Sequence, residues 1–310
     1  MVEIINWAPS QYFAYISDDV AILVLAFVGG YVDSAGYIKL RGLFTSSITG
    51  NLVAAVSSMV LLEDGVLCRA LTCIAFTGGA ALAQTCALRM KIVYKNTPRI
   101  VSIFCFTLEL IMFVATIILG QIYLDEIDNA ISQDNWAVVL LGCIMGISMG
   151  FHSVAAKVTI ATNPPVVATT VMTSTLVNVA QNASDTINYG MAMYSCPNLK
   201  NRDDTSDIEV YKKAMTAKFY ESLGKFITTS KPLILFIIGA ILGAVITEET
   251  DFVGIVIPSA FTILLIYCVY MKDAVSASAT TSLPVKTVEN TKAQAVEVSM
   301  VQIQDSAQKV

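Results

Sequence analysis

The densest concentration of chemically capable groups lies between residues 29 and 53. Asp33 is set inside an apolar run, and Thr45, Ser46, Ser47, Thr49 and Asn51 open the next one after a basic turn at Lys39 and Arg41. Hydrocarbon offers such groups no water, so at membrane depth they face a bundle interior or a wet cavity and are candidates for a substrate or ion pathway. A carboxyl group in that position suits a proton or cation role. Its structural alternative is to cap a helix end or to pair with Lys39 or Arg41.

The same reasoning extends along the chain. Thr45 and Thr49 are spaced one helical turn apart, and Thr169 and Thr173 repeat that spacing. Two hydroxyl faces, joined by Asn51 and Asn178, could line one shared cavity. The alternative is that the hydroxyls bond to their own helices or bridge packed neighbours. Glu109 lies well inside its apolar segment, where a pathway role and a buried structural pair are both open. His152 is the sole histidine, and a lone imidazole is more often a satisfied core or cavity group than a proton carrier. One histidine excludes a metal site built from several imidazoles, and the seven cysteines form no CxxC pair. No nucleophile–base pair, HExxH or phosphate-cradling loop is visible, so neither a catalytic activity nor a cofactor is expected.

These residues need elements to hold them. Of the 310 residues, 55% are hydrophobic and 14% charged, with mean hydropathy +0.67, against about 25% charge in a soluble domain. That balance predicts an integral, multi-pass membrane protein with the lipid bilayer as its surroundings. A net charge of −5 speaks against a nucleic-acid partner. Eight segments of near-spanning length are expected at about 20–38, 44–62, 68–89, 100–123, 136–160, 166–183, 232–246 and 252–271. Flanking them are an amphipathic lead at 1–19, a polar loop at 184–230 and a Ser/Thr-rich tail at 272–310, read as disordered. Pro232 marks the start of the seventh segment, and Pro258 a kink in the eighth. The basic and acidic turns of an eight-span path give no consistent orientation.

The two halves are weakly alike. Thr45–Val53 aligns with Thr169–Val177, Phe76–Ala83 with Phe236–Gly243, and Phe106–Ile111 with Phe261–Ile266. Four segments per half predict two parallel four-helix repeats, 20–123 and 136–271, forming an all-α transmembrane bundle. Gly30, Gly50, Gly79, Ala83, Gly239 and Gly243 are the expected close-packing positions.

At Gly30-Tyr31-Val32-Asp33, Phe44-Thr45-Ser46, Thr49-Gly50-Asn51 and the second-half run Ala168–Leu176, the chain resembles the YoaK-type membrane proteins (domain of unknown function 1275). This is a largely bacterial family without an assigned function. The resemblance spans roughly 20–183 and 232–271, and implies an all-helical membrane bundle but no reaction. The second half departs from the family pattern at Gly150-Phe151-His152-Ser153 and at Thr173-Ser174. The expected function is a permease or channel-like carrier for a small solute or ion, with a polar site between the halves. The alternative is a non-transporting scaffold or sensor acting through the 184–230 loop and the tail.

Overall fold

Apolar runs with no water to bond must close their backbone hydrogen bonds internally, and every regular element among the described residues is helical. The computed structural model describes residues 18–93, 98–159, 172–194 and 205–281. The helices are α1 (Asp18–Lys39), α2 (Ile48–Leu61), α3 (Val66–Val93), α4 (Pro98–Ile122), the short α5 (Leu124–Asp128) and α6 (Trp136–Thr159). They continue with α7 (Met172–Tyr194), α8 (Thr205–Thr250), a 3₁₀ turn at Asp251–Ile255, and α9 (Val256–Thr281). Contacts divide the chain into Ile16–Tyr267 and a second unit made of the two chain ends, of which only the helical run 268–281 is described. All packing below belongs to the first unit.

Among the described residues, five stretches are long and apolar enough to cross a membrane, which marks an integral membrane protein. They are Val20–Lys39, Val66–Met90, Ile100–Ile122, Trp136–Lys157 and a 62-residue run, Glu209–Tyr270, that takes in both α8 and α9.

Eight expected segments are not found, for three physical reasons. The second, α2, has 14 residues; at about 1.5 Å per residue it spans roughly 21 Å, short of the ~30 Å hydrocarbon core. The sixth, expected at 166–183, is described only from Met172, within the helix α7, which is too polar to count as a span, with Asn178, Gln181 and Asn182 inside the expected bounds. The polar 184–230 stretch, whose spacing from Ile208 to Phe226 reads as helical, is largely helix, formed by the end of α7 and the first half of α8. Nor does a helix begin at Pro232, since α8 runs unbroken through it. Pro258 falls in the first turn of α9, where a missing N–H breaks no intrahelical bond. Helix α9 continues to Thr281, while the lead at 1–17 and the tail beyond 281 lie outside the described residues.

Close glycine contacts set the helix directions. Gly239 rests on Phe27 and Gly243 on Tyr31, and Lys39 pairs with Asp251, so α1 and α8 run parallel. Gly142 meets Cys68 and Thr72, and Gly150 meets Phe76 and Ala80, so α3 and α6 also run parallel. By contrast, His152 faces Leu25 and Gly36 faces Met145, which makes α1 and α6 antiparallel. Helix α4 is antiparallel to α6 as well, joined at Glu109–His152 and by the Tyr123 and Trp136 rings 4.7 Å apart. The first helices of the two halves therefore point in opposite directions, which corrects the parallel arrangement. Of the expected packing positions, Gly30, Gly79, Gly239 and Gly243 lie at helix crossings and Ala83 is fully buried, whereas Gly50 sits under the Phe44 ring. Phe27, Tyr31, Phe113, Met145, Met149 and Phe252 fill the core that these crossings enclose.

Candidate functional site

Arg41 (φ 57°) and Gly42 (φ 85°) take left-handed conformations one after the other and turn the chain back after α1. It descends beside α1 until Thr45–Ser47 lie level with Asp33, then returns as α2. The Cys73 thiol donates to the Ile48 carbonyl at 3.7 Å, and Arg69 donates to the Ser58 hydroxyl at 3.0 Å. Helix α2 thus starts beside the second turn of α3 and ends beside its first. The loop and α2 therefore leave and return at the same end of α1.

Asp33 holds the bottom of this descent. The N–H groups of Thr45 and Ser46 each donate to its Oδ1 at 2.8 Å, and that of Ser47 at 3.4 Å. The Ser47 hydroxyl donates to Oδ2 at 2.6 Å, and Asp33 is 5% exposed. Amides of an irregular loop have no ladder partner, so a buried carboxylate among them satisfies donors that would otherwise be stranded. Asp33 thus fixes the loop before α2 rather than capping a helix end. Lys39 pairs with Asp251 and Arg41 donates to the Ile127 carbonyl at 3.5 Å, so neither neutralises Asp33.

Asn51 turns back from α2 to grip Phe44: its Oδ1 accepts the Phe44 N–H at 3.0 Å and its amide donates to the Phe44 carbonyl. The Phe44 ring then lies 4.8 Å from that of Tyr37. Together they border a cavity of about 330 Å³, whose lining also includes Asp33, Ser47, Phe236 and Ala244. A volume of this order suits a small solute.

The expected hydroxyl faces are distributed differently. Thr45 is buried in the loop, donating to the Val32 carbonyl at 3.2 Å, and Ser46 is buried beside it. Thr49 lies in the first turn of α2 and is exposed, so Thr45 and Thr49 share no helical face. Thr169 lies outside the described residues, Thr173 belongs to the opening turn of α7, and Asn178 is half-buried further along that helix. The described residues therefore bring Asp33, Thr45, Ser46 and Asn51 together, without a second hydroxyl face opposite them.

A second polar centre lies deeper. His152 on α6 and Glu109 on α4 are both fully buried, with Nδ1 2.9 Å from Oε1. The other ring nitrogen, Nε2, is 3.1 Å from the Leu25 carbonyl of α1, while Glu109 Oε2 has no hydrogen-bond partner. Leu25 and Asp33 are eight residues apart on α1, about 12 Å along its axis. Among the described residues, no group of three or more His, Cys, Asp or Glu side chains gathers to hold a metal ion.

Several contributors were not singled out by sequence. The cavity walls Tyr37, Phe236 and Ala244 look like ordinary apolar residues, and the Leu25 carbonyl is backbone. Asp134, from the acidic loop, accepts the Cys68 N–H at 2.8 Å and the Gly65 N–H at 3.2 Å, and so fixes the turn from α2 into α3.

A family model described as "Protein of unknown function (DUF1275)" matches residues 21–268. No curated protein and no solved structure matches the chain.

Proposed function

The chain belongs to the DUF1275 family, whose function is unknown, and on that premise we propose that it is a permease or channel-like carrier for a small solute or ion rather than an enzyme. The observation that carries this reading is the loop that descends beside α1 before α2, its amides held by the buried Asp33 carboxylate beside a cavity of about 330 Å³. Irregular backbone at membrane depth is costly unless it is enclosed by protein or borders a water-filled space. Transporters place their sites at such interrupted helices.

In this reading the chain crosses the membrane six times, as two inverted three-helix repeats, α1/α3/α4 and α6/α8/α9. The glycine contacts support it. Gly30 meets Phe236 and Ala240, while Gly150 meets Phe76 and Ala80. The glycines differ by 120 (150 − 30), and their partners by 160 (236 − 76 and 240 − 80). The reciprocal pair, Gly79 on Ile147 and Gly239 on Phe27, has the same offsets (239 − 79 = 160; 147 − 27 = 120). Inverted repeats of this kind, rocking against each other, underlie alternating access in many carriers.

The test uses purified full-length protein in liposomes, with flux followed by light scattering after jumps of ammonium chloride, sodium acetate, alanine or glycerol. At least one probe should move faster than in empty liposomes. Ala244→Trp, which fills the cavity, should remove that flux, while Gly78→Trp, placed in open space, should not. Equal flux through the filled variant, or no flux of any probe, would sink the reading.

A further inference from the structure

The Glu109–His152 pair allows a stricter deduction than its burial alone. A carbonyl oxygen can only accept, so His152 Nε2, 3.1 Å from the Leu25 oxygen, carries a hydrogen. One proton then lies between Nδ1 and Glu109 Oε1, 2.9 Å apart, whether the pair is imidazolium and carboxylate or imidazole and carboxylic acid. Both forms are neutral overall and differ only in which heavy atom holds that proton. If it leaves to water, the Nδ1 lone pair faces the carboxylate, and an attraction between α4 and α6 becomes a repulsion.

A purely structural pair at this depth would have its remaining lone pairs satisfied, because a half-satisfied buried network is costly. This one does not: among the described residues Glu109 Oε2 accepts from no group, and Ser148, one turn before His152 on α6, has an equally buried hydroxyl without a partner there. We propose that Glu109 and His152 form a proton-binding site in the membrane core, whose loading and unloading ties α4 to α6 and frees it again during the carrier's cycle. The purpose of such a site rests on the carrier reading, but its existence does not.

Few other titratable groups face the pair. Among the described residues of α4, Cys105 is fully buried one turn from Glu109. Helix α1 presents the Leu25 carbonyl there, and Lys157, further along α6, is exposed.

Because the chain has one histidine, ring-¹⁵N histidine labelling reports this site alone. The full chain in lipid nanodiscs, followed by solid-state NMR between about pH 5 and 8, should keep Nε2 protonated while the Nδ1 signal moves through one transition. Glu109→Gln, whose amide donates to Nδ1, should lock the ring in its Nε2–H form and abolish the transition. Ring signals that stay fixed across that range in the unaltered protein, or a transition that survives in Glu109→Gln, would overturn the proposal. If the ring titrates while none of the liposome probes moves, the carrier reading falls and the proton site stands. Probe flux with a ring that does not titrate has the opposite meaning.

Discussion

A carboxylate that accepts from three successive backbone amides dictates the path of the loop that carries them, and Asp33 does this for Thr45–Ser47. Asp33→Ala should therefore destabilise the protein by about 3 kcal/mol, since charge-assisted bonds are lost and buried donors are stranded. Asp33→Asn should lose roughly half as much, because its carbonyl can still take the Thr45 and Ser46 amides while its NH₂ donates to Ser47. Chemical unfolding in mixed micelles measures both, and equal losses would contradict this role. Asp33 was legible in the sequence because an acid in an apolar run is conspicuous whatever surrounds it. Its partners were half legible: the hydroxyl run was visible, but its donors to Asp33 are mostly backbone. The Glu109–His152 contact joins residues 43 positions apart and leaves no mark in either segment alone.

The helices themselves were read well where an apolar run met clear ends. Segments expected at 68–89, 100–123 and 136–160 are the cores of α3, α4 and α6. Failure came where one composition suits two structures. The hydroxyl-rich opening at 44–47 was read as helix, yet a nearby acceptor makes the loop cheaper than a strand of unsatisfied side chains would be. The neighbouring glycines of α3 give a matched test of packing. A Cβ on Gly79 would lie 2.7 Å from the Ile147 carbonyl, while nothing lies within 4 Å of Gly78. Gly79→Leu should therefore cost about 3 kcal/mol by forcing α3 and α6 apart, and Gly78→Leu close to nothing. Thermal melts followed by size-exclusion chromatography compare the two directly, and similar melts would show that the crossing is not tight.

At the scale of the whole chain, composition announced the membrane, but helix direction has no signature in sequence offsets. If the chain crosses six times, as proposed above, most basic residues fall at the same end. Glu63, Asp64, Asp125, Glu126, Asp128, Asp134 and Glu248–Asp251 lie at one end, beside Lys39, Arg41 and Arg69. Arg89, Lys91, Arg99 and Lys157 lie at the other, together with the lysines of the first half of α8 and the acids Asp185, Glu209 and Glu221. The positive-inside rule then places the acidic end outside the cytoplasm. With the native cysteines replaced, Ile131→Cys should react with an impermeant maleimide in intact cells, and Tyr220→Cys only after permeabilisation. The reverse order would invert the topology.

Helix α8 has 46 residues, about 69 Å of rod, more than twice what a bilayer needs. Its outer half pairs with α7 through Asn182–Thr229 and Thr186–Ser222. Gly239 is level with Phe27, so Pro232, seven residues earlier, is level with Val20, where the apolar run of α1 begins. A proline there omits one rung of the backbone ladder and softens the rod at that height. Bending of this rod should therefore concentrate at Pro232, sparing the glycines seated beneath it.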